Sequence, residues 1–227
     1  AVWESSTLGT VQTSIKRTGT SAILVASLTG LPRSVPSQTS YTAGCAFYSA
    51  GNTNERRLIQ FRSGSTIQVT IDIQPNGSVR ALQGTSTVLG TSAIGLVSAD
   101  TWHYLEASVS ISDSTGTVEV RLNGSDSPII NLTNQDTKPS SATDIDEIRF
   151  ASQSFANTYF DDMYINDATG SVNTGFSGDV RIDALLPDGA GDKAQFTTTF
   201  PASPTDHWSK VDEVPDDGDS SYNETST

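Results

Sequence analysis

With 227 residues, the chain has room for one large domain, or for a domain with an appended segment. Its formal net charge of −13 excludes direct nucleic-acid binding, which needs clustered Lys and Arg, and an anionic membrane surface repels it for the same reason. No apolar run approaches the roughly 18 residues of a membrane span, and the single cysteine, Cys45, rules out an intrachain disulfide.

Apolar residues alternate with polar ones along most of the chain, and a sustained helical period never appears. In chain order, this alternation predicts strands at Thr20–Leu28, Tyr41–Ser49 and Arg57–Arg62. Thr66–Gln74 is the clearest: Ile67, Val69, Ile71 and Ile73 share one face, and Gln68, Thr70, Asp72 and Gln74 share the other. Pro75-Asn76-Gly77-Ser78 ends it with turn chemistry, since Asn and Gly accept positive φ, and Val79–Leu82 starts the return strand. Further strands follow at Thr87–Gly90, Trp102–Ile111, Thr117–Leu122, Ile129–Leu132, Ile145–Ala151 and Tyr159–Ile165. Asp113-Ser114-Thr115-Gly116 and Asn123-Gly124-Ser125-Asp126 supply turns between them. Short strands at this spacing predict an all-β fold, an antiparallel β-sandwich spanning residues 1–175. The start at Ala1 is expected of a processed or partial product.

The remainder, residues 176–227, predicts an extended acidic C-terminal arm. From residue 179 onward, eleven Asp or Glu stand against three Lys or Arg. Phe196, Phe200, His207, Trp208 and Tyr222 punctuate this polar stretch, and a purely disordered tail lacks such rings. Either a neighbouring subunit or the chain's own sandwich receives them. Phe176, Val180, Ile182, Leu185, Leu186, Phe196, Phe200 and Trp208 are the residues expected to carry assembly.

Candidate chemistry is sparse. Sandwich glucanases need two facing carboxylates; Asp144 and Asp146 share a strand face, but no Glu follows at matching parity, and a solvated strand start accounts for them. His103 and His207 are the only histidines, and no serine sits in a Gly-x-Ser-x-Gly elbow, so no catalytic residue is assigned and no enzyme is expected. Asp161, Asp162, Asn166 and Asp167 offer oxygen ligands for calcium, although their spacing matches no EF-hand loop. Cys45, within an apolar run, reads as a small buried hydrophobe, with a reactive thiol as the alternative. Aromatic faces suit pyranose rings, and a carbohydrate-binding module for attachment to host-surface glycans predicts such rings grouped on one face or loop end.

Trp102-His103-Tyr104-Leu105-Glu106, Val118-Glu119-Val120-Arg121-Leu122-Asn123-Gly124 and Phe160-Asp161-Asp162-Met163-Tyr164-Ile165 resemble the concanavalin A-like, laminin-G-like jelly-roll superfamily. Tyr164-Ile165-Asn166-Asp167 and Phe176 through Pro187 are similar to a group of tailed-phage and prophage structural proteins, as are Gln195-Phe196-Thr197, His207-Trp208 and Val211-Asp212-Glu213. The resemblance implies a virion component, a capsid decoration or tail appendage on the particle exterior. It implies a homo-oligomer, a trimer in the first instance, touching other virion proteins, with no established activity to carry across.

Overall fold

Period-two alternation becomes two sheets packed face to face. The computed structural model describes residues 9–25, 30–51, 54–151 and 157–182, together with the backbone of strands at 198–200 and 222–224. No helix occurs among the described residues. A seven-stranded sheet runs in the order β1 (Thr10–Gln12), β2 (Ala22–Val25), β13 (Thr158–Asp167), β4 (Ser40–Ser49), β9 (Trp102–Ser110), β10 (Gly116–Leu122), β11 (Ile130–Gln135). The six-stranded sheet against it runs β3 (Leu31–Gln38), β12 (Ile145–Phe150), β5 (Arg56–Ser63), β6 (Thr66–Ile73), β7 (Val79–Gln83), β8 (Thr87–Thr91).

Two late strands stitch the sheets to their early members. β12 enters between β3 and β5, and β13 enters between β2 and β4, all antiparallel. Each sheet therefore stays incomplete until the last third of the sandwich sequence is in place. The expected faces hold: Val69, Ile71 and Ile73 of β6 lie in the core with Phe47, Phe61, Leu105, Ile148, Phe150 and Phe160. Cys45 is fully buried there, and burial pushes its thiol well above the ordinary range, so it behaves as a small apolar side chain.

Two strands of the sandwich were not predicted. β3 carries Pro32 and Pro36, which argue against a strand except at a sheet edge, and β3 is an edge. β1 is three residues long, too short for alternation to register, and is also an edge.

Chain contacts divide between Ile182 and Asp183, so residues 176–182, assigned to the arm by composition, belong to the sandwich unit. In the second unit, Asp183–Thr227, β14 (Thr198–Phe200) pairs antiparallel with β15 (Tyr222–Glu224).

Candidate functional site

The outer face of the seven-stranded sheet is organised as rows across β13, β4 and β9, and each row is set by register. In one, Tyr164 lies opposite Gly44, which lies opposite Glu106. The Tyr164 ring crosses over Gly44, where any Cβ would collide with it, and its hydroxyl donates to Glu106 Oε1. The same oxygen accepts the amides of Ser177 at 3.0 Å and Gly178 at 2.8 Å. A carboxylate that is 1% exposed is thereby satisfied by the chain folding back over it. Burial and the adjacent Glu106 push the Tyr164 hydroxyl above its usual range.

A second clasp holds the same segment. Asp162 sits in a β-bulge with φ 47°, and its Oδ2 accepts Arg17 Nη1 at 2.9 Å. Asp162 Oδ1 accepts Thr18 Oγ1 at 2.6 Å and the Ile182 amide at 2.9 Å. Arg17 also donates to the Val180 carbonyl at 3.0 Å, pairs with Asp179, and lies 5.1 Å from the Tyr104 ring centroid. Burial opposes charge on Arg17, but Asp179 and Asp162 outweigh it and hold the guanidinium above its ordinary value. Phe176 stacks beneath Arg121 at 4.1 Å. Gly124, at φ 71°, lets the strap pass close, since a Cβ there would stand 2.9 Å from Asp179 Cβ.

The candidate calcium ligands are used differently. Asp161 Oδ2 accepts the amides of Arg17 and Thr18, and Asp162 is held as described. Asn166 donates to the Gly175 carbonyl and Ser177 Oγ, and Asp167 Oδ1 accepts Thr169. The four residues thus serve separate protein donors and acceptors, and no acidic cluster able to hold a metal occurs among the described residues.

Of the residues expected to carry assembly, Phe176 and Val180 are half-buried on their own sandwich and Ile182 is 55% exposed. Leu185, Leu186, Phe196 and Trp208 lie outside the described residues, and Phe200 is placed only as backbone in β14. Asp144 accepts Ser37 Oγ at 2.5 Å and Ser63 Oγ at 2.7 Å, and Asp146 accepts the Gly64 amide at 2.8 Å. Both tie down turns beside β12. His103 is buried at the start of β9, takes the Ser98 amide on Nε2 at 3.1 Å, and is held by burial below its ordinary pKa.

On the outer face of the six-stranded sheet, three arginines have carboxylate partners. Arg80 reaches Asp72 at 2.6 Å and Glu55 at 2.8 Å; Arg62 and Arg149 flank Glu147 at 3.0 and 2.8 Å. Burial pushes the Asp72 carboxyl upward while Arg80 pulls against it.

One row remains clear of the fold-back strap. Tyr159, Tyr48 and Trp102 are direct cross-strand neighbours on β13, β4 and β9. Adjacent ring centroids are 5.7 Å apart on either side of Tyr48, tilted at 55° to Trp102 and edge-on at 84° to Tyr159. Tyr159 is buried beneath its neighbours, and Tyr48 and Trp102 are half-buried. Asp100 Oδ1 lies 3.4 Å from the Tyr48 hydroxyl and accepts the Gly51 amide at 3.1 Å. No local spacing in the sequence groups Trp102 with Tyr48 and Tyr159. Only strand pairing brings the three together.

No protein-family model and no curated sequence matches the chain. Among solved structures it is similar to a Caenorhabditis elegans galectin at 8% identity, covering 61% of this chain and 91% of that one, with a TM-score of 0.41. A Trypanosoma rangeli sialidase is similar at 9% identity and a TM-score of 0.45, covering 63% of this chain and 25% of the sialidase. A pentraxin from Limulus polyphemus is similar at 12% identity and a TM-score of 0.42, covering 60% of this chain and 70% of that one. The chain's own sheet order shows an antiparallel β-sandwich of a seven-stranded and a six-stranded sheet.

Proposed function

We propose that this chain is a glycan-binding module on a virion exterior, part of a capsid decoration or tail appendage, that works as a homo-oligomer. The observation carrying the binding half is the Tyr159–Tyr48–Trp102 row with Asp100 at its side. The half-buried Tyr48 and Trp102 rings, backed by the buried Tyr159, present apolar area that water covers poorly, and the flat C–H face of a pyranose replaces that water. A neighbouring carboxylate and hydroxyl provide directional partners for sugar hydroxyls, which gives orientation as well as affinity. The virion setting is supported by the resemblance of residues 164–167 and 176–187 to phage structural proteins.

Titration calorimetry against a panel of host surface polysaccharides tests the binding half. Trp102→Ala and Tyr48→Ala should each weaken binding at least tenfold, about 1.4 kcal/mol, while Tyr48→Phe, which keeps the ring, loses far less. Wild-type protein that binds no polysaccharide of the panel would retire this reading. The virion half stands or falls on whether the protein is found in purified particles by mass spectrometry.

A further inference from the structure

The seven-stranded sheet has an open edge. β2 pairs with β13 only through Thr158–Phe160, whereas β4 pairs with β13 as far as Asp167. Among the described residues, Tyr164–Asp167 therefore have a strand partner on one side alone, with Met163 in the bulge just before them. A cleft of about 450 Å³ opens there toward β3, with Val35, Tyr41, Met163 and Ile165 in its lining. A second cleft of about 390 Å³ shares Met163 and bears Val11 and Ile182, which are 68% and 55% exposed. An apolar floor beside a half-paired strand is what an added strand uses: backbone hydrogen bonds for affinity, alternate side chains for fit. The facing edge, β3, carries Pro32 and Pro36, which withhold amide donors, so β13 is the edge suited to accept a strand.

We infer that this groove receives Asp183–Pro187 of a second copy, added as a strand along Met163–Asp167. The inference rests on the self-association part of the reading above and is independent of glycan binding. The sandwich unit ends at Ile182, whose amide bonds Asp162 at the lip of the groove, and the chain continues Asp183-Ala184-Leu185-Leu186-Pro187. Five extended residues span roughly 17 Å, matching Met163 of the bulge together with Tyr164–Asp167 of the open edge. The two leucines bring apolar area to an apolar floor, and Pro187 ends the pairing. Direction favours a second copy. Every strand pairing of the sandwich is antiparallel. A segment running on from its own Ile182 toward Asp167 would lie parallel to β13, whereas one from another copy enters at the Asp167 end and runs antiparallel, the more stable arrangement.

Two measurements on the full chain test this. Light scattering should show the wild type associated and L185D/L186D reduced to the 24.0 kDa single chain, with β-sheet circular dichroism retained. A wild type that is already a single chain sinks self-association and this inference together. A variant that keeps the wild-type mass sinks this inference alone, and polysaccharide titrations judge glycan binding separately. In the second measurement, Ser34→Cys chains, labelled at the lip of the groove, are mixed with Leu185→Cys chains and treated with a short bis-maleimide. A covalent species of twice the chain mass is expected. No such species, or a link found only within single chains of the double variant, overturns the proposal.

Discussion

Glu106 shows how one buried carboxylate decides the path of a whole segment. It sits in the middle of β9, 1% exposed, and accepts Tyr164 Oη and the amides of Ser177 and Gly178. Removing it leaves these three donors without their acceptor, and each buried hydrogen bond to a charged group contributes about 1.5–3 kcal/mol. Glu106→Ala is expected to cost about 2–4 kcal/mol of stability in urea unfolding, and to speed hydrogen exchange at the Ser177 and Gly178 amides. Glu106→Gln keeps an acceptor oxygen and should lose less on both measures. If Glu106→Ala leaves exchange at both amides unchanged, the carboxylate is not what holds the strap.

Among the strands, β13 has the most to do. It pairs with β2 and β4, places Phe160 in the core 6.2 Å from Phe150, contributes Tyr159 to the aromatic row, and lends Tyr164 to the Glu106 clasp. Truncating Phe160, which is fully buried, leaves a cavity between the sheets. Phe160→Ala should cost about 3–5 kcal/mol, read as a lowered denaturant midpoint with an unchanged m-value. A loss below about 1 kcal/mol would mean that the two sheets close the gap by moving together. β13 completes both the seven-stranded sheet and the Tyr159–Tyr48–Trp102 row on which the proposed glycan binding rests.

For the molecule as a whole, stability should depend on pH through His103. Burial holds its pKa below the ordinary 6.5, so the unfolded chain takes up a proton before the folded one does. Its contribution to stability is therefore complete above about pH 6.5 and is lost as the pH falls from there toward the folded pKa. Urea midpoints should drop between pH 7.5 and pH 5.5, and His103→Gln should flatten that slope. An equal slope in the variant would place the titration elsewhere. The same molecular scale separates what is written locally from what is assembled. Alternation is a property of neighbouring residues, so β2, the strands β4 through β13, and the turns at Asn76-Gly77 and Asn123-Gly124 could be read from the chain alone. β3 could not, because its prolines are penalised everywhere except at an edge, and only the finished sheet determines which strands are edges. The insertion of β12 and β13, the strap over Glu106, and the Tyr159–Tyr48–Trp102 row all depend on pairing between segments far apart in sequence. Period two assigns a residue to a face. Its neighbours on that face follow from strand order and register, and the tertiary structure decides those by which arrangement buries the most apolar surface and leaves the fewest backbone groups unpaired.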